Sequence, residues 1–442
     1  MSAAGRALHT GSAGEAPPRR GGPALVLSRT HAIVLLGMVV LGAAVLIPVL
    51  GRLGVLAFAG AGMCVLFLAR DRLTTHAADT AIFLLPCLVA LASAATSLHP
   101  RETIWYGTQY AVSALVFYAL ALSLPLLALM RIASLAIWAG LALSVAFPAY
   151  HYVGHTGEIA FVGIFSSKNN YSFVVGALVM LGAGQCAAGG PMGRAYGLAS
   201  VALGFAFLLA GRSLGAIVGA SAALALAGAF LSTRVFHRSV LAPAIVMGAT
   251  LAAVMGLWLV AEFELVTRWM VAVGRDPTLT GRTLLWELAW ENFTSAPLLG
   301  VGYRGFFVPY YPPAVEVLEY FHLPPTAAWH HHNAFFDILA GTGLLGIAAH
   351  AILLGRVLGL FAGGIARDRL RAADAGIVAA FAYLALRSAL EVDFTVEYSL
   401  GLFLYALVHA TLARRLAEPT LRQRRTEPRA PERSSTPRRR RR

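Results

Sequence analysis

The chain has 442 residues, 58% of them apolar and only 13% charged, with a formal net charge of +14. So few charges cannot clothe a water-soluble protein of this length, which excludes the soluble globular and the disordered classes. The apolar residues fall in blocks of about twenty, each long enough to cross a hydrocarbon core of roughly 30 Å. The composition therefore predicts an all-α polytopic membrane protein.

Residues 1–30, rich in Gly, Ala, Pro and Arg, read as a disordered cytoplasmic tail without a cleavable signal. Blocks bounded by charges and by Pro or Gly predict nine transmembrane helices over residues 31–261. They lie near 31–50, 53–69, 78–98, 104–124, 128–150, 168–187, 195–211, 213–232 and 239–261. A long polar loop over 262–331 follows. Three more spans, near 333–361, 372–390 and 397–415, occupy residues 332–415 and bring the expected number to about twelve. Residues 416–442 end in five arginines, Arg438 to Arg442, and read as a disordered basic tail held near anionic lipid, with no nucleic-acid partner. Cys64, Cys87 and Cys186 lie inside apolar blocks without metal-type spacing and read as small buried hydrophobes.

Orientation follows from the distribution of basic residues. With the N-terminus inside, the inner segments hold fourteen of them, and the tail from Arg414 adds twelve, so 26 of 35 lie on the cytoplasmic side. Both termini are then cytoplasmic, and the 262–331 loop is on the outer face. The nine exceptions are Arg52, Arg101, Lys168, Arg212, Arg268, Arg275, Arg282, Arg304 and Arg387, and Lys168 is the sole lysine.

Several of the nine share one kind of place. Even-numbered spans start at the outer face. Lys168 opens the sixth behind the capping residues Ser166 and Ser167, Arg212 precedes Ser213 at the eighth, and His332 and Asn333 open the tenth. Arg282 falls in the first turn of a loop helix expected over 280–295 and stopped by Pro297. A helix N-terminus is already partly positive, so a cation there is locally unfavourable. A bound anion relieves this cost, because backbone N–H groups and guanidinium forks converge on phosphate oxygens. The competing reading pairs each cation with lipid head groups or with a nearby acid. Glu391, Asp393 and Glu397 are available, and Arg387 and Glu391 have i,i+4 spacing.

The loop helix places Trp286, Trp290 and Phe293 on one side, which suits either docking on the membrane interface or ordinary packing. Beyond it stand His330, His331 and His332. Consecutive residues do not all face one point, and no HExxH pattern or second ligand cluster accompanies them, so no metal is expected. His332, at a helix start among cations, suits a general base, since that setting favours the neutral imidazole; the competing role is a hydrogen-bonded structural histidine.

These segments together resemble the O-antigen ligase and polysaccharide polymerase superfamily of bacterial membrane glycosyltransferases. The family pattern is His, then Asn, Ser or Gln, nine residues, Gly, two residues, and Gly, Thr or Tyr. His332 and Asn333, followed by Gly343-Leu344-Leu345-Gly346, fit it throughout. The GRTLLW stretch from Gly281 to Trp286, PLLGVGY from Pro297 to Tyr303, and GIFSSKN from Gly163 to Asn169 also look like family segments. The resemblance runs from about residue 160 to 400.

It implies a GT-C-like frame in the bacterial inner membrane, with a periplasmic active site between the sixth and tenth spans. The implied partners are an undecaprenyl-diphosphate-linked glycan donor and, as acceptor, another glycan or lipid A–core; no cofactor is implied. By motif match His332 acts on the acceptor hydroxyl and Arg282 holds the diphosphate. Arg212 joins it by position at an outer helix start, Lys168 assists, and Asn333, Arg304 and Glu391 support. Arginine in place of a divalent metal stabilises the leaving group, and a single displacement inverts the anomeric carbon. Ligase, polymerase and protein O-oligosaccharyltransferase differ in acceptor and stay open. A transporter or flippase for a lipid-linked or anionic substrate would need a repeat of broken helices with mid-membrane charges, and neither is evident.

Overall fold

The computed structural model describes residues 28–153, 158–233 and 281–417. The expected ninth span, Arg268, Arg275 and most of both tails lie outside the described residues.

The first part of the chain forms α1 (Arg29–Leu50), α2 (Arg52–Thr75), α3 (Ala77–Ala92), α4 (Pro100–Ser123) and α5 (Leu126–Ala146). A short hairpin of β1 (Tyr150–Val153) and β2 (Glu158–Phe161) leads to α6 (Lys168–Ala188), α7 (Pro191–Ala210) and α8 (Leu214–Ser232). The second part holds α9 (Arg282–Ser295), α10 (Pro312–Tyr320), α11 (Ala334–Ala366), α12 (Ala375–Ser388) and α13 (Leu400–Ala417). Among the described residues nine helices are long and apolar enough to cross a membrane. The protein is an all-α, multi-pass membrane protein.

Two expected spans differ from the nine for visible reasons. Helix α4 opens on the polar stretch RETIWYGTQY, and α12 has only 14 residues, about 21 Å at 1.5 Å per residue. Both still pack inside the bundle. The hairpin and α10 were not expected; each is a short element in a region without spanning periodicity.

Local chemistry sets the boundaries. The side chain of Ser167 caps α6 by accepting from the Asn170 N–H, and Asn333 caps α11 by accepting from the N–H groups of Phe335 and Phe336. Proline opens α4 and α7, where its missing N–H costs nothing. Helices α6 and α13 form the centre of the bundle, with 78% and 83% of their apolar windows buried. Only 22% of the α7 window is buried, and Leu53, Phe67 and Leu198 are among the exposed apolar side chains of α2 and α7. Cys64 also lies on an exposed face, so the expectation of three buried cysteines holds fully only for Cys87. Outward-facing apolar residues fit a lipid solvent.

The ends of the helices are sorted. The starts of α4, α6, α8, α11 and α13 gather with the segment 281–331 at one end of the bundle, which we call the loop end. Its contacts span the sequence: His99 Nδ1 meets the Gly305 carbonyl at 2.8 Å, Asn169 reaches Glu391 at 2.7 Å, and Tyr303 donates to the Thr395 carbonyl at 2.7 Å. The opposite end carries Arg70, Arg72, Arg131, Arg194, Arg367 and Arg371. There the fully buried Asp374 takes Arg415 at 3.0 Å and ties α12 to α13.

Candidate active site at the loop end

Glu391 follows α12 and is 6% exposed. A buried carboxylate persists only when its oxygens are satisfied by donors and positive charge. Asn169 Nδ2 donates to Oε1 at 2.7 Å and Arg282 Nη2 at 2.9 Å. His332 Nδ1 straddles the group, 3.2 Å from Oε2 and 3.3 Å from Oε1. His330 Nε2 stands farther off, 3.9 Å from Oε2. Burial alone would raise the Glu391 carboxyl, but the hydrogen bond and charge of His332, with His330 and Arg387, outweigh it and hold the group at about 2.

The histidine turn is shaped to reach this carboxylate. His332 has φ +51°, a left-handed conformation uncommon for a side-chain-bearing residue. Its N–H donates to His330 Nδ1 at 3.1 Å, which closes the turn. Rings 330 and 332 therefore come together, 4.2 Å between centroids, while His331 points the other way and meets Asp337 Oδ1 at 2.8 Å. Burial, reinforced by the charge of His332, pushes the His330 imidazole down to about 3, against the pull of Glu391 and Asp337. Asn333 fixes the turn from below, capping α11 while its Nδ2 donates to the Ala389 carbonyl at 3.0 Å.

Helix α9 explains the GRTLLW spacing. Gly281 adopts φ +79° before the first turn, a conformation that glycine takes without steric cost. Arg282 and Trp286, four residues apart, share a face. Arg282 Nη1 donates to the Leu390 carbonyl at 2.7 Å while Nη2 holds Glu391. Trp286 Nε1 donates to the His331 carbonyl at 3.1 Å, and its ring stacks on Phe336. Trp286 thus packs on α11 and the histidine turn, while Trp290 on the same helix is exposed.

The spacing between His332 and Gly343 also has a cause. At Gly343 α11 breaks, with φ +62° and ψ −158°. The N–H groups of Leu344 and Leu345 donate to the carbonyls of Pro297 and Leu298 at 2.9 and 3.1 Å, and Val301 N–H donates to the Ala340 carbonyl at 2.9 Å. A Cβ at Gly343 would strike the backbone of Leu298. The PLLGVGY segment is therefore docked into the break, and Tyr303 and Arg304 follow from it. Arg304 Nε reaches Glu397 Oε2 at 3.1 Å, with its guanidinium over the Tyr106 ring. Burial opposes the Arg304 charge, yet Glu397 outweighs it and raises the group above its ordinary value.

Of the residues singled out in the sequence, His332, Arg282, Glu391 and Asn333 converge. Lys168 is the first residue of α6, beside Asn169. Arg212 occupies an exposed turn with φ +50° before α8. The start of α8 packs close to Leu390, where a Cβ on Gly215 would touch that side chain, so Arg212 belongs to the same corner. Arg304 lies apart, on Glu397. Acid pairing, the competing reading of the outer cations, describes Arg282, Arg304 and Arg387. Arg387 does not use Glu391, despite the i,i+4 spacing. It binds Asp393 at 2.6 Å, because the chain turns after Ser388 and brings residue 393 back against it. The contributions of Asn169 and of the His331–Asp337 pair were not foreseen. An acid in the first turn of α11 was the available sign of the second.

One detail in the reading of the histidines needs correction, the absence of a further ligand type near them. A second ligand does exist: single donor atoms of His330, His332 and Glu391 lie within 4.8 Å of one another. Their hydrogen bonds occupy them otherwise. His330 Nδ1 accepts an N–H, so the proton of its neutral ring sits on Nε2 and that nitrogen has no lone pair for an ion. Arg282 also places a cation on Glu391. The cluster could close on a metal only by breaking these bonds.

A family model described as O-antigen ligase matches residues 199–351, which include Arg212, Arg282, Arg304 and His332. The chain is 31% identical over 367 residues to the exopolysaccharide production protein ExoQ of Rhizobium meliloti (strain 1021), a match covering 80% of this chain and 82% of that protein. The chain belongs to the O-antigen ligase and polymerase family. As a family member it carries the His-Asn pair and the two following glycines on a strained turn, a helix cap and a helix break.

Proposed function

We propose that the protein transfers a glycan from an undecaprenyl-diphosphate-linked donor to an acceptor hydroxyl, at the outer face of a bacterial inner membrane. The carrying observation is the meeting of His332 and Arg282 on the carboxylate of Glu391. A carboxylate on Nδ1 fixes the imidazole tautomer and leaves Nε2 as the basic nitrogen. In this reading Nε2 takes the proton of the acceptor hydroxyl as its oxygen bonds to the anomeric carbon of the donor. The bond from that carbon to the diphosphate oxygen breaks, and the lipid diphosphate leaves with the electron pair.

Arg282 stabilises the departing charge. Two of its five N–H bonds serve Leu390 and Glu391, and the others are left for phosphate oxygens. Arg212 at the start of α8 and Lys168 at the start of α6 complete the diphosphate site. The displacement is single and in line, so the anomeric configuration inverts, and the charge is handled by arginine without a metal. The basic ends opposite the loop support cytoplasmic termini and a periplasmic site. Similarity to a protein named for exopolysaccharide production favours polymerase over ligase within the family.

The test is turnover of lipid-linked glycan by the purified protein. His332→Ala and Arg282→Ala are expected to lose activity while remaining folded, and EDTA is expected to leave the rate unchanged. Wild-type rates in both variants would overturn the assignment, and collapse with EDTA would overturn the metal-free chemistry.

A further inference from the structure

Beside the Glu391 cluster, lined by Trp329 and His330, lies an open cavity of about 770 Å³, solvent space at its mouth included. Aromatic side chains make much of its wall: Tyr106, Phe307 and Trp329. His331 also lines it, with a side chain 5% exposed. Asp337 Oδ1 accepts from both the backbone N–H of His331, at 3.2 Å, and its Nδ1, at 2.8 Å. The proton is therefore fixed on Nδ1, and Nε2 is an acceptor. That Nε2 finds no hydrogen-bond partner among the described residues, and neither does the buried Nε1–H of Trp329.

A buried acceptor and a buried donor left unmatched on two residues that line one cavity call for an explanation. We propose that this cavity seats a pyranose ring of the acceptor glycan, a reading that rests on the glycan transfer proposed above. A sugar hydroxyl is both donor and acceptor, so neighbouring hydroxyls match His331 Nε2 and Trp329 Nε1–H together. The C–H face of the ring suits the aromatic walls. A lipid chain would leave both polar atoms unmatched. A phosphate, whose oxygens accept, would leave the acceptor His331 Nε2 unmatched. The cavity adjoins the proposed base: the Trp329 ring stands edge-on to His332 at 4.8 Å, and His330 lines the cavity while lying 4.2 Å from His332. A sugar seated here brings its chain to the nitrogen that takes the hydroxyl proton.

Two substitutions isolate the unmatched atoms. Trp329→Phe keeps a ring and removes the N–H. His331→Asn keeps a donor for Asp337 and removes the acceptor at the Nε2 position. Each is expected to raise the acceptor KM about tenfold, the cost of one buried hydrogen bond, while the donor KM holds. Independently of turnover, saturation-transfer NMR of the full chain in detergent with methyl glucoside, galactoside, mannoside and rhamnoside is expected to show binding of at least one sugar. That binding is expected to survive in His332→Ala and to weaken in both cavity variants. If His332→Ala abolishes transfer but the cavity variants leave acceptor KM and sugar binding unchanged, the cavity assignment fails alone. If His332→Ala retains transfer, the catalytic reading fails, and the sugar binding still decides the cavity. A rise in donor KM in place of acceptor KM overturns the proposal, as does binding of none of the four sugars.

Discussion

Glu391→Gln is the substitution with the most determinate outcome. The amide keeps the shape of the carboxylate and replaces one oxygen with an NH2. Asn169 Nδ2 at 2.7 Å and Arg282 Nη2 at 2.9 Å both donate to Oε1, so the amide oxygen must occupy that position. The NH2 then falls at Oε2, 3.2 Å from His332 Nδ1, which keeps only its 3.3 Å contact with the oxygen at Oε1. The imidazole loses the negative charge that held its proton on Nδ1 and gains a donor neighbour there, so the tautomer with its proton on Nε2 grows, and that tautomer lacks the lone pair that takes the acceptor proton. A general base supplies about 10²- to 10⁴-fold in rate, and kcat should fall by that amount. Arg282 also loses its counter-charge, and stranding one partner of a buried pair costs about 3–5 kcal/mol, so the melting temperature should fall as well. The assay is single-turnover transfer of lipid-linked glycan in nanodiscs, alongside thermal unfolding. A folded Glu391→Gln protein within threefold of the wild-type rate would refute both the tautomer argument and the role of His332.

Other expectations follow from the same geometry. His330 is neutral in the folded protein, at about 3 against an ordinary 6.5. The stability this brings is full above pH 6.5 and is lost as the pH falls toward 3. Thermal unfolding should therefore weaken between pH 7 and 5 and weaken less in His330→Asn; equal slopes in the two proteins would contradict this. Glu391 has the same sign in a lower window, its stabilisation being lost between its ordinary 4.5 and about 2. Gly343→Ala forces a left-handed φ on alanine and drives a Cβ into Leu298, and should cost about 2 kcal/mol or more, read as a lower melting temperature with loss of monodisperse protein. Arg387→Met strands the largely buried Asp393 and should cost about 3–5 kcal/mol; adding Asp393→Leu should recover most of it, and failure of the double variant to recover would show that the pair does more than neutralise itself.

The membrane frame was legible because lipid imposes one rule on every span: about twenty apolar residues with charges at the ends. Helix α6 was foreseen within a residue of its ends, and Ser167 and Asn333 sit at caps because of their side chains. Short elements were not legible. The hairpin at 150–161 and helix α10 draw their stability from neighbours, and their own sequence patterns are weak. His332, Arg282 and Glu391 could be named in advance, but not their meeting, since residues 282, 332 and 391 are joined only by the packing of α9, α11 and α12. Arg387 shows the limit most clearly. Its spacing to Glu391 is helical, but the helix ends at Ser388, and Asp393 is the acid that returns to it.

The break at Gly343 bears on how such a protein can be re-engineered. Because the 297–301 backbone completes the hydrogen bonding of α11, the loop is a structural part of that helix. Trp286 and Arg282 stitch α9 to the same assembly. Grafting a relative's loop at its apparent edges would leave unmatched carbonyls and N–H groups at the graft. The natural unit of exchange runs from Gly281 through Gly346, carrying arginine, docked loop segment, histidine turn and helix break as one cassette.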